Sequence, residues 1–302
     1  MVIRPLTEAL QKVASEELNE DPQRIASDLE SFKNWIAEQP HMKSRTDDQF
    51  LIAFLRNCKY DLEAAQQKLD NYYAYIEKNP EILKRPKLDE ERIRKLLKCG
   101  VVVYLPQPVT EVGPRVVLVR NGAFDPKEFT FTEVSQFRQL LQDIIFLEDD
   151  IAVVGGLIYI MDFGDVTASH YLQVNPALVR KISQYTEECV PLNLKANHFI
   201  NTASGFAPLY NLAKTFMPAK TQNKMFVHGS DREELFKAIP KEILPQEYGG
   251  ESSSLQVLID QWEQTVLSYV QYFQDNDKYG VDETLRVKNS DMATRSKFLG
   301  IF

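Results

Sequence analysis

Hydrophobic positions near the start of the chain recur every three or four residues, which is the spacing of amphipathic helices. Asp21 before Pro22 predicts an N-cap followed by proline at the first helical position; the apolar positions are then Ile25, Leu29, Phe32 and Ile36, and Pro40 ends the run. Two more stripes follow over 46–57 and 62–76. Short connections between such helices favour antiparallel packing into a small bundle. We therefore predict an amino-terminal helical domain over residues 1–95.

The middle of the chain changes to short apolar runs that alternate with helical spacing. Runs rich in β-branched residues predict strands at 101–104, 116–119, 157–162, 196–201 and 224–229. Helical stripes over 131–147 and 176–190 separate several of these runs. This alternation predicts an α/β fold with a largely parallel sheet and helices packed on it. We assign this second domain to residues 96–251.

Helical spacing returns after Gly249-Gly250, from Leu255 to Phe273. An apolar stripe of that length must be buried against something. We expect residues 252–302 to pack back on the helical domain or on the sheet, although the polar tail from Asp275 receives no assignment of its own.

Composition and charge narrow the class of protein. The chain has 302 residues, of which 44% are hydrophobic, and a net charge of −8. No run approaches the ~20 apolar residues of a membrane span and the first residues lack a signal-peptide core, so we expect a cytoplasmic protein. The acidic balance disfavours nucleic acid as a partner. Three widely spaced cysteines and four isolated histidines predict neither a disulfide framework nor a metal site.

The segment from Lys195 to Lys224 departs from this acidic balance. It carries an apolar, helix-like stretch between lysines. Positive charge gathered on one element of an acidic protein points to a local anionic target such as a phospholipid surface. Taken alone, however, the apolar stripe would more often be core and the lysines solvated surface.

An ordered series of motifs then resembles one family. The stretch TDDQFLIAFLRNCKYDLEAAQQKLDNYY resembles the amino-terminal motif of CRAL-TRIO proteins. The stretches GGLIYIMDFGD, HFINTASGFAPLYNLAKTFMP, KMFVHG and ILPQEYGGE resemble successive signatures of the lipid-binding domain itself. The series covers about residues 46–251 and is most similar to the α-tocopherol transfer and retinaldehyde-binding branch. Insect members of that branch have tails similar to residues 278–286.

The resemblance implies a fold and a function. The fold is an amino-terminal helical bundle plus a CRAL-TRIO domain, whose mobile lid helix covers an apolar cavity. The function is that of a carrier for one hydrophobic small molecule, such as a retinoid, tocopherol or similar isoprenoid lipid. Such a carrier is a monomer that meets phosphoinositide-containing membranes transiently, needs no cofactor besides its ligand and is not an enzyme.

The resemblance also implies positions for the ligand. The lid corresponds to about Ser204 to Met217, and the strand at 157–162 corresponds to the cavity floor. The implied ligand-binding residues are Phe137, Leu141, Leu157, Tyr159, Met161, Phe163, Val166, Phe206, Leu209, Leu212, Ala213, Phe216 and Met217.

The resemblance also implies a set of basic residues that contact the membrane. In the tocopherol-transfer branch, four basic positions bind phosphoinositide headgroups, and three of them correspond to Lys195, Lys220 and Lys224. The fourth corresponds to Asn193, which weakens the predicted patch. Pro208 is a further departure, because a proline inside the lid helix would forfeit a backbone hydrogen bond, so the lid either begins late or is kinked there, and we predict a hinge at Pro208.

Two alternatives stay open. One is a phosphatidylinositol or phospholipid transfer protein, or a regulator in phosphoinositide signalling, because similar domains serve those roles. The other is an enzyme acting on lipids. Against it, Ser204-Gly205 lies in TASGF and not in a G-x-S-x-G elbow, and neither H-E-x-x-H nor a Walker loop occurs.

Overall fold

The amino-terminal part is a bundle of helices, as the spacing predicts. The computed structural model describes residues 3–83, 90–174, 176–203, 206–230, 232–276 and 278–287. Its first helices are α1 (Glu8–Leu18), α2 (Ile25–Ala37), α3 (Asp48–Asn57), α4 (Leu62–Lys78), α5 (Pro80–Leu83) and α6 (Glu90–Cys99). One detail differs from the sequence prediction. Helix α2 begins at Ile25, because Asp21 accepts a hydrogen bond from the Gln23 amide (3.0 Å) and closes a turn instead of capping the helix.

The second domain is built on a five-stranded sheet. Its strands are β2 (Val102–Tyr104), β3 (Arg115–Arg120), β4 (Leu157–Asp162), β5 (Leu194–Ile200) and β6 (Met225–Gly229), while the short strands β1 (Met42–Lys43) and β7 (Gly280–Val281) pair with each other in a separate sheet. The large sheet has the order β2-β3-β4-β5-β6, with β2 antiparallel to β3 and all other pairs parallel. This confirms the predicted mixed α/β fold with a mostly parallel sheet.

Helices cover both faces of this sheet. They are α7 (Phe131–Glu148), α8 (Asp150–Gly155), α9 (Ala168–Gln173), α10 (Pro176–Glu188), α11 (Phe206–Thr215), α12 (Ala219–Gln222), α13 (Glu233–Ala238), α14 (Leu255–Ser268) and α15 (Val270–Asn276). Three short 3-10 turns lie at Lys241–Ile243, Gln246–Tyr248 and Glu283–Leu285. Thr130 and Glu133 form a capping box that starts α7, where side chain and backbone satisfy each other's groups.

The outer face of the sheet is a closed aliphatic core. Leu118 and Ile160 face each other across β3 and β4. Both are at most 1% exposed and pack with residues of α13, α14 and the turns between them. The Tyr248 hydroxyl donates to the Asp162 carboxylate and so joins this cover to the end of β4.

A buried charge network joins the two domains. The Arg56 guanidinium on α3 donates to Glu20 (2.7 Å) after α1 and to Asp150 (2.9 Å) at the start of α8. Gln49 donates to the same Asp150 carboxylate (3.0 Å). Because a buried ion must be paired or it destabilises the fold, removing any member would leave the others uncompensated.

The carboxyl-terminal segment packs back on the helical domain. Strand β7 pairs with β1, and the Arg286 guanidinium donates to both carboxylate oxygens of Asp70 on α4. Helix α14 packs against α6 and β2. Residues 288–302, including the hydrophobic end of the tail, lie outside the described residues.

Candidate functional site

The inner face of the sheet borders a cavity of about 340 Å³. Because side chains alternate along a strand, the register places Val117, Tyr159, Asn197 and Met225 side by side on this face. All four line the cavity. The volume lies near the lower end of the range of about 300–1,000 Å³ for small-molecule sites.

Helix α11 closes the cavity with an aromatic cluster. Phe206 is only 5% exposed. Its ring centroid lies 4.7 Å from that of Phe163 and 5.4 Å from that of Phe199, and the Tyr210 ring stacks on it at 5.3 Å. Phe206, Tyr210, Ala213 and Met217 all line the cavity, at the three- and four-residue spacing of a single helical face. The lid helix is therefore closed on the sheet in this structure.

Pro208 does not interrupt this helix. It is the third residue of α11, within the first turn, where a backbone amide has no intrahelical acceptor in any case. Of the two predicted outcomes the structure therefore has the late start, because α11 begins at Phe206, and the hinge at Pro208 stays a prediction.

The structure brings seven of the thirteen predicted ligand-binding residues to the cavity. They are Tyr159, Met161, Phe163, Val166, Phe206, Ala213 and Met217. Leu212 on α11 and Phe216 directly after it are half-buried but do not line the cavity. The Leu209 side chain and the residues Ser204 and Gly205 lie outside what the structure describes.

Three further predicted residues lie in the packed core instead of the cavity. Phe137, Leu141 and Leu157 are at most 2% exposed and belong to the large hydrophobic cluster shared with the helical domain. Phe137 and Leu141 do not reach the cavity because they belong to the apolar stripe of α7, which packs on other helices. Helices α3 and α5 pack against α7 and bury that stripe, so the cavity receives the opposite side of the helix.

The side of α7 that faces the cavity is polar except for Phe131. Its lining residues are Phe131, Ser135, Arg138, Gln139 and Gln142. The Gln142 amide donates to the Tyr159 hydroxyl (3.3 Å), and the Arg138 guanidinium donates to Asn121 Oδ1 (3.2 Å). Sequence reasoning missed this wall, because polar residues at helical spacing ordinarily indicate a solvent-facing side.

The three predicted lysines gather near the amino-terminal ends of the parallel strands. Lys195 and Lys220 are exposed, while Lys224 is half-buried and donates to the Leu194 carbonyl. Burial lowers the pKa of Lys224, and so does repulsion from Lys220 and Lys195, which indicates that the three ammonium groups are close in space. The nearby Glu187 carboxylate, which accepts from Thr221 (2.8 Å), acts in the opposite direction and moderates the positive charge.

Comparison with known proteins decides the family. Residues 99–250, half of the chain, match the family model described as the CRAL/TRIO domain. The chain belongs to the CRAL/TRIO family. CRAL/TRIO proteins bind and transfer lipophilic ligands. Residues 21–93 match a second model, described as Pinta-like, UBA domain.

A human relative at 30% identity supports the same family, and two further similarities accompany it. The human alpha-tocopherol transfer protein-like protein is 30% identical over 252 residues, which is 83% of this chain and 72% of the relative. Human clavesin-2 is 27% identical over 277 residues, or 91% of this chain and 82% of the relative. The crystal structure of Sfh5 aligns with 90% of this chain and all of that one, at a TM-score of 0.48 and 13% identity.

A second, larger cavity does not suit the lipophilic ligand of a CRAL/TRIO protein. It measures about 520 Å³ and lies between the amino-terminal segment and α2. Six of its fourteen lining residues are charged, among them Arg4, Glu20, Asp48 and Arg56. Apolar surface placed against such walls would desolvate charges without compensation. Of the two cavities, the one beneath α11 therefore suits a lipophilic molecule better.

The side chains give little support to enzyme chemistry in this CRAL/TRIO chain. Burial raises the pKa of the Cys58, Cys99 and Cys189 thiols, which disfavours the nucleophilic thiolate. Within the described ranges, no group of three or more His, Cys, Asp or Glu residues could hold a metal ion. Across the same residues, no helix has both the length and the apolar character needed to cross a membrane.

Proposed function

We propose that the chain is a cytoplasmic carrier of one hydrophobic small molecule and exchanges it at phosphoinositide-containing membranes by moving α11. The observation that carries the proposal is the closed cavity between α11 and the inner face of the sheet. A retinoid, a tocopherol or a similar isoprenoid lipid has the apolar, elongated shape that this cavity would hold.

The energetics suit tight binding and slow release. Burying roughly 300 Å² of apolar ligand surface contributes about 7 kcal/mol. The ring cluster of Phe163, Phe199, Phe206 and Tyr210 keeps α11 on the sheet. Release then requires these contacts to break, so an anionic membrane that binds an open state better would shift the population towards release.

The lysine cluster provides such a membrane contact. Lys195 lies on β5, whereas Lys220 on α12 and Lys224 after it directly follow the lid. Each lysine near an anionic bilayer contributes about 1 kcal/mol, which gives transient docking and not stable anchoring. A carrier needs this reversibility in order to leave the membrane after exchange.

The ligand itself is the first test. Protein purified from its own tissue should show one added mass in native mass spectrometry, and organic extraction should release a single lipophilic compound. A phospholipid in the extract would favour the alternative of phosphatidylinositol or phospholipid transfer. Protein that carries no lipid and transfers none between vesicles would overturn the carrier proposal.

Charge reversal tests the role of the lysines. The double variant Lys220→Glu and Lys224→Glu should bind phosphoinositide vesicles at least about 30-fold more weakly, because two contributions of about 1 kcal/mol are lost and repulsion is added. The difference should shrink as salt rises. Vesicle sedimentation at two salt concentrations measures both effects.

A matched control separates the effect of the lysine cluster on vesicle binding from the effect of net charge. Lys98→Glu with Lys127→Glu changes the net charge equally at two exposed positions away from α11. This control should bind vesicles nearly as the unchanged protein does. Equal losses in both double variants, or a loss of ligand affinity in the Lys220/Lys224 variant, would place these lysines in a different role.

A further inference from the structure

One wall of the ligand cavity holds a cation that has no counter-ion among the described residues. The Arg138 side chain lines the cavity beneath α11, and in the part of the chain that the structure describes its one hydrogen bond goes to Asn121 Oδ1 (3.2 Å). Its Nε atom is buried without a partner. A guanidinium carries five N–H donors, so most of its capacity is unused.

A hydrogen bond to the backbone holds the Asn121 side chain in place, and the Arg138 guanidinium beside it borders the cavity. The Asn121 amide nitrogen donates to the Asp162 carbonyl (3.0 Å), which orients its oxygen towards the guanidinium. A neutral amide does not neutralise the charge. Burial lowers the pKa of Arg138 to about 10, so the side chain is still cationic at neutral pH.

A second unused donor lies at the same end of the cavity. The Tyr171 hydroxyl is buried without a partner and also lines the cavity. Tyr171 lies on α9, which follows the carboxyl end of β4, and Asn121 follows the carboxyl end of β3. This end therefore presents a cation and a hydroxyl donor whose hydrogen-bonding capacity is not used up by the residues that the structure describes.

The lysine cluster cannot bind the same ligand group as Arg138, because it lies at the other end of the sheet. Lys195 and Lys224 lie near the amino-terminal ends of β5 and β6, whereas Asn121 lies beyond the opposite end of the sheet. At about 3.3 Å per residue, five residues of strand separate the two ends by roughly 16 Å. A headgroup held by the lysines at the surface would leave Arg138 without a partner.

We propose that the ligand carries a carboxylate, which Arg138 binds at the carboxyl end of the parallel strands while the apolar chain extends beneath α11. The guanidinium fork matches a carboxylate in a two-bond pairing, and a single cation matches a single negative charge. The inference rests on the proposed carrier function and names its ligand class as a lipophilic monocarboxylic acid.

Paired probes test the proposal. cis-Parinaric acid and its corresponding alcohol share one fluorescent chain and differ only at the head, so titrating delipidated full-length protein with each isolates the contribution of the carboxylate. The unchanged protein should bind the acid at least tenfold more tightly than the alcohol. Arg138→Gln should abolish that preference and leave alcohol affinity within threefold, while Arg138→Lys should keep part of it, because lysine retains the charge without the fork.

Arg180→Gln is the matched control, because Arg180 is exposed on α10 and does not line the cavity. It should keep the preference for the acid. Equal affinity of the unchanged protein for acid and alcohol would overturn this inference and leave the carrier function intact. A preference that persists in a folded Arg138→Gln variant would also overturn it. Protein that binds neither probe and yields no extractable lipid would overturn both proposals.

Discussion

The two faces of the same strands have different residue chemistry. On the outer face, β3 and β4 contribute Val116, Leu118, Ile158 and Ile160, which helices and turns cover without a comparable cavity among the described residues. On the inner face, the intervening positions include the polar Tyr159 and the flexible Met161, and a space of about 340 Å³ is left open. The outer face therefore supplies stability, while the inner face gives up packing contacts for a ligand to replace.

Helix α7 shows the same division on one helix. Its apolar stripe, which includes Phe137 and Leu141, is buried against the helical domain. Its polar stripe, which includes Arg138 and Gln142, faces the cavity. In both elements, the side that packs on protein is mainly apolar, although α7 also buries Asp143 and Gln136 against α4 and α5, and the side that borders the cavity mixes apolar and polar groups.

Neighbouring substitutions on β4 provide the strongest test of this contrast. Ile160→Ala should lower the free energy of unfolding by about 3 kcal/mol, because it opens a cavity in a closed core. Met161→Ala should lower it by about 1 kcal/mol or less, because that side chain already borders open space, but it should weaken ligand binding. Urea denaturation of ligand-free protein gives the first comparison, and a ligand titration gives the second. Equal stability losses would refute the division between the faces.

Lowering the pH tests how much His198, on the outer face of β5, contributes to stability. His198 lies beside Ile160 in register and is hydrogen bonded to His228 (2.8 Å). Burial, and then the proximity of His228, lower the pKa of His198 to about 4. Because the folded state favours the neutral ring, its contribution to stability is full above the unfolded pKa of about 6.5 and declines as the pH falls towards 4.

The expected loss between pH 7 and pH 5 is about 2 kcal/mol. Carboxylates contribute little in this window, because their unfolded pKa values of about 4 lie below it. Denaturant titrations of the unchanged protein and of His198→Gln at both pH values measure the effect. A variant that loses as much stability as the unchanged protein would show that His198 is not responsible.

The sequence predicts the elements better than it predicts which surfaces meet. Alternation on β4 correctly separates Tyr159 and Met161 from Ile158 and Ile160, because strand geometry fixes the faces. Helical spacing on α11 similarly brings Phe206, Ala213 and Met217 to one side. Tyr210 was missed although the same spacing places it on this face, four residues after Phe206 and three before Ala213.

Helix α7 and the carboxyl-terminal segment show where this reasoning ends. Periodicity reveals that α7 has an apolar stripe but not which neighbour buries it, so the assignment of Phe137 and Leu141 to the cavity was wrong. The pairing of Arg286 with Asp70 joins residues 216 positions apart. Nothing local in either segment specifies such a contact, since it depends on how the two domains pack.

The smallest effect we expect concerns the lid. Phe206→Ala removes the ring that contacts Phe163, Phe199 and Tyr210, and so weakens the closed state without altering either core. Ring pairs of this kind contribute about 0.5–1.5 kcal/mol each, so the loss of all three should make ligand release to acceptor vesicles at least about tenfold faster. Asn211→Ala, at an exposed position on the same helix, should leave the rate unchanged. If both variants release ligand at the rate of the unchanged protein, then the ring cluster does not hold the lid, and opening is limited elsewhere in the chain.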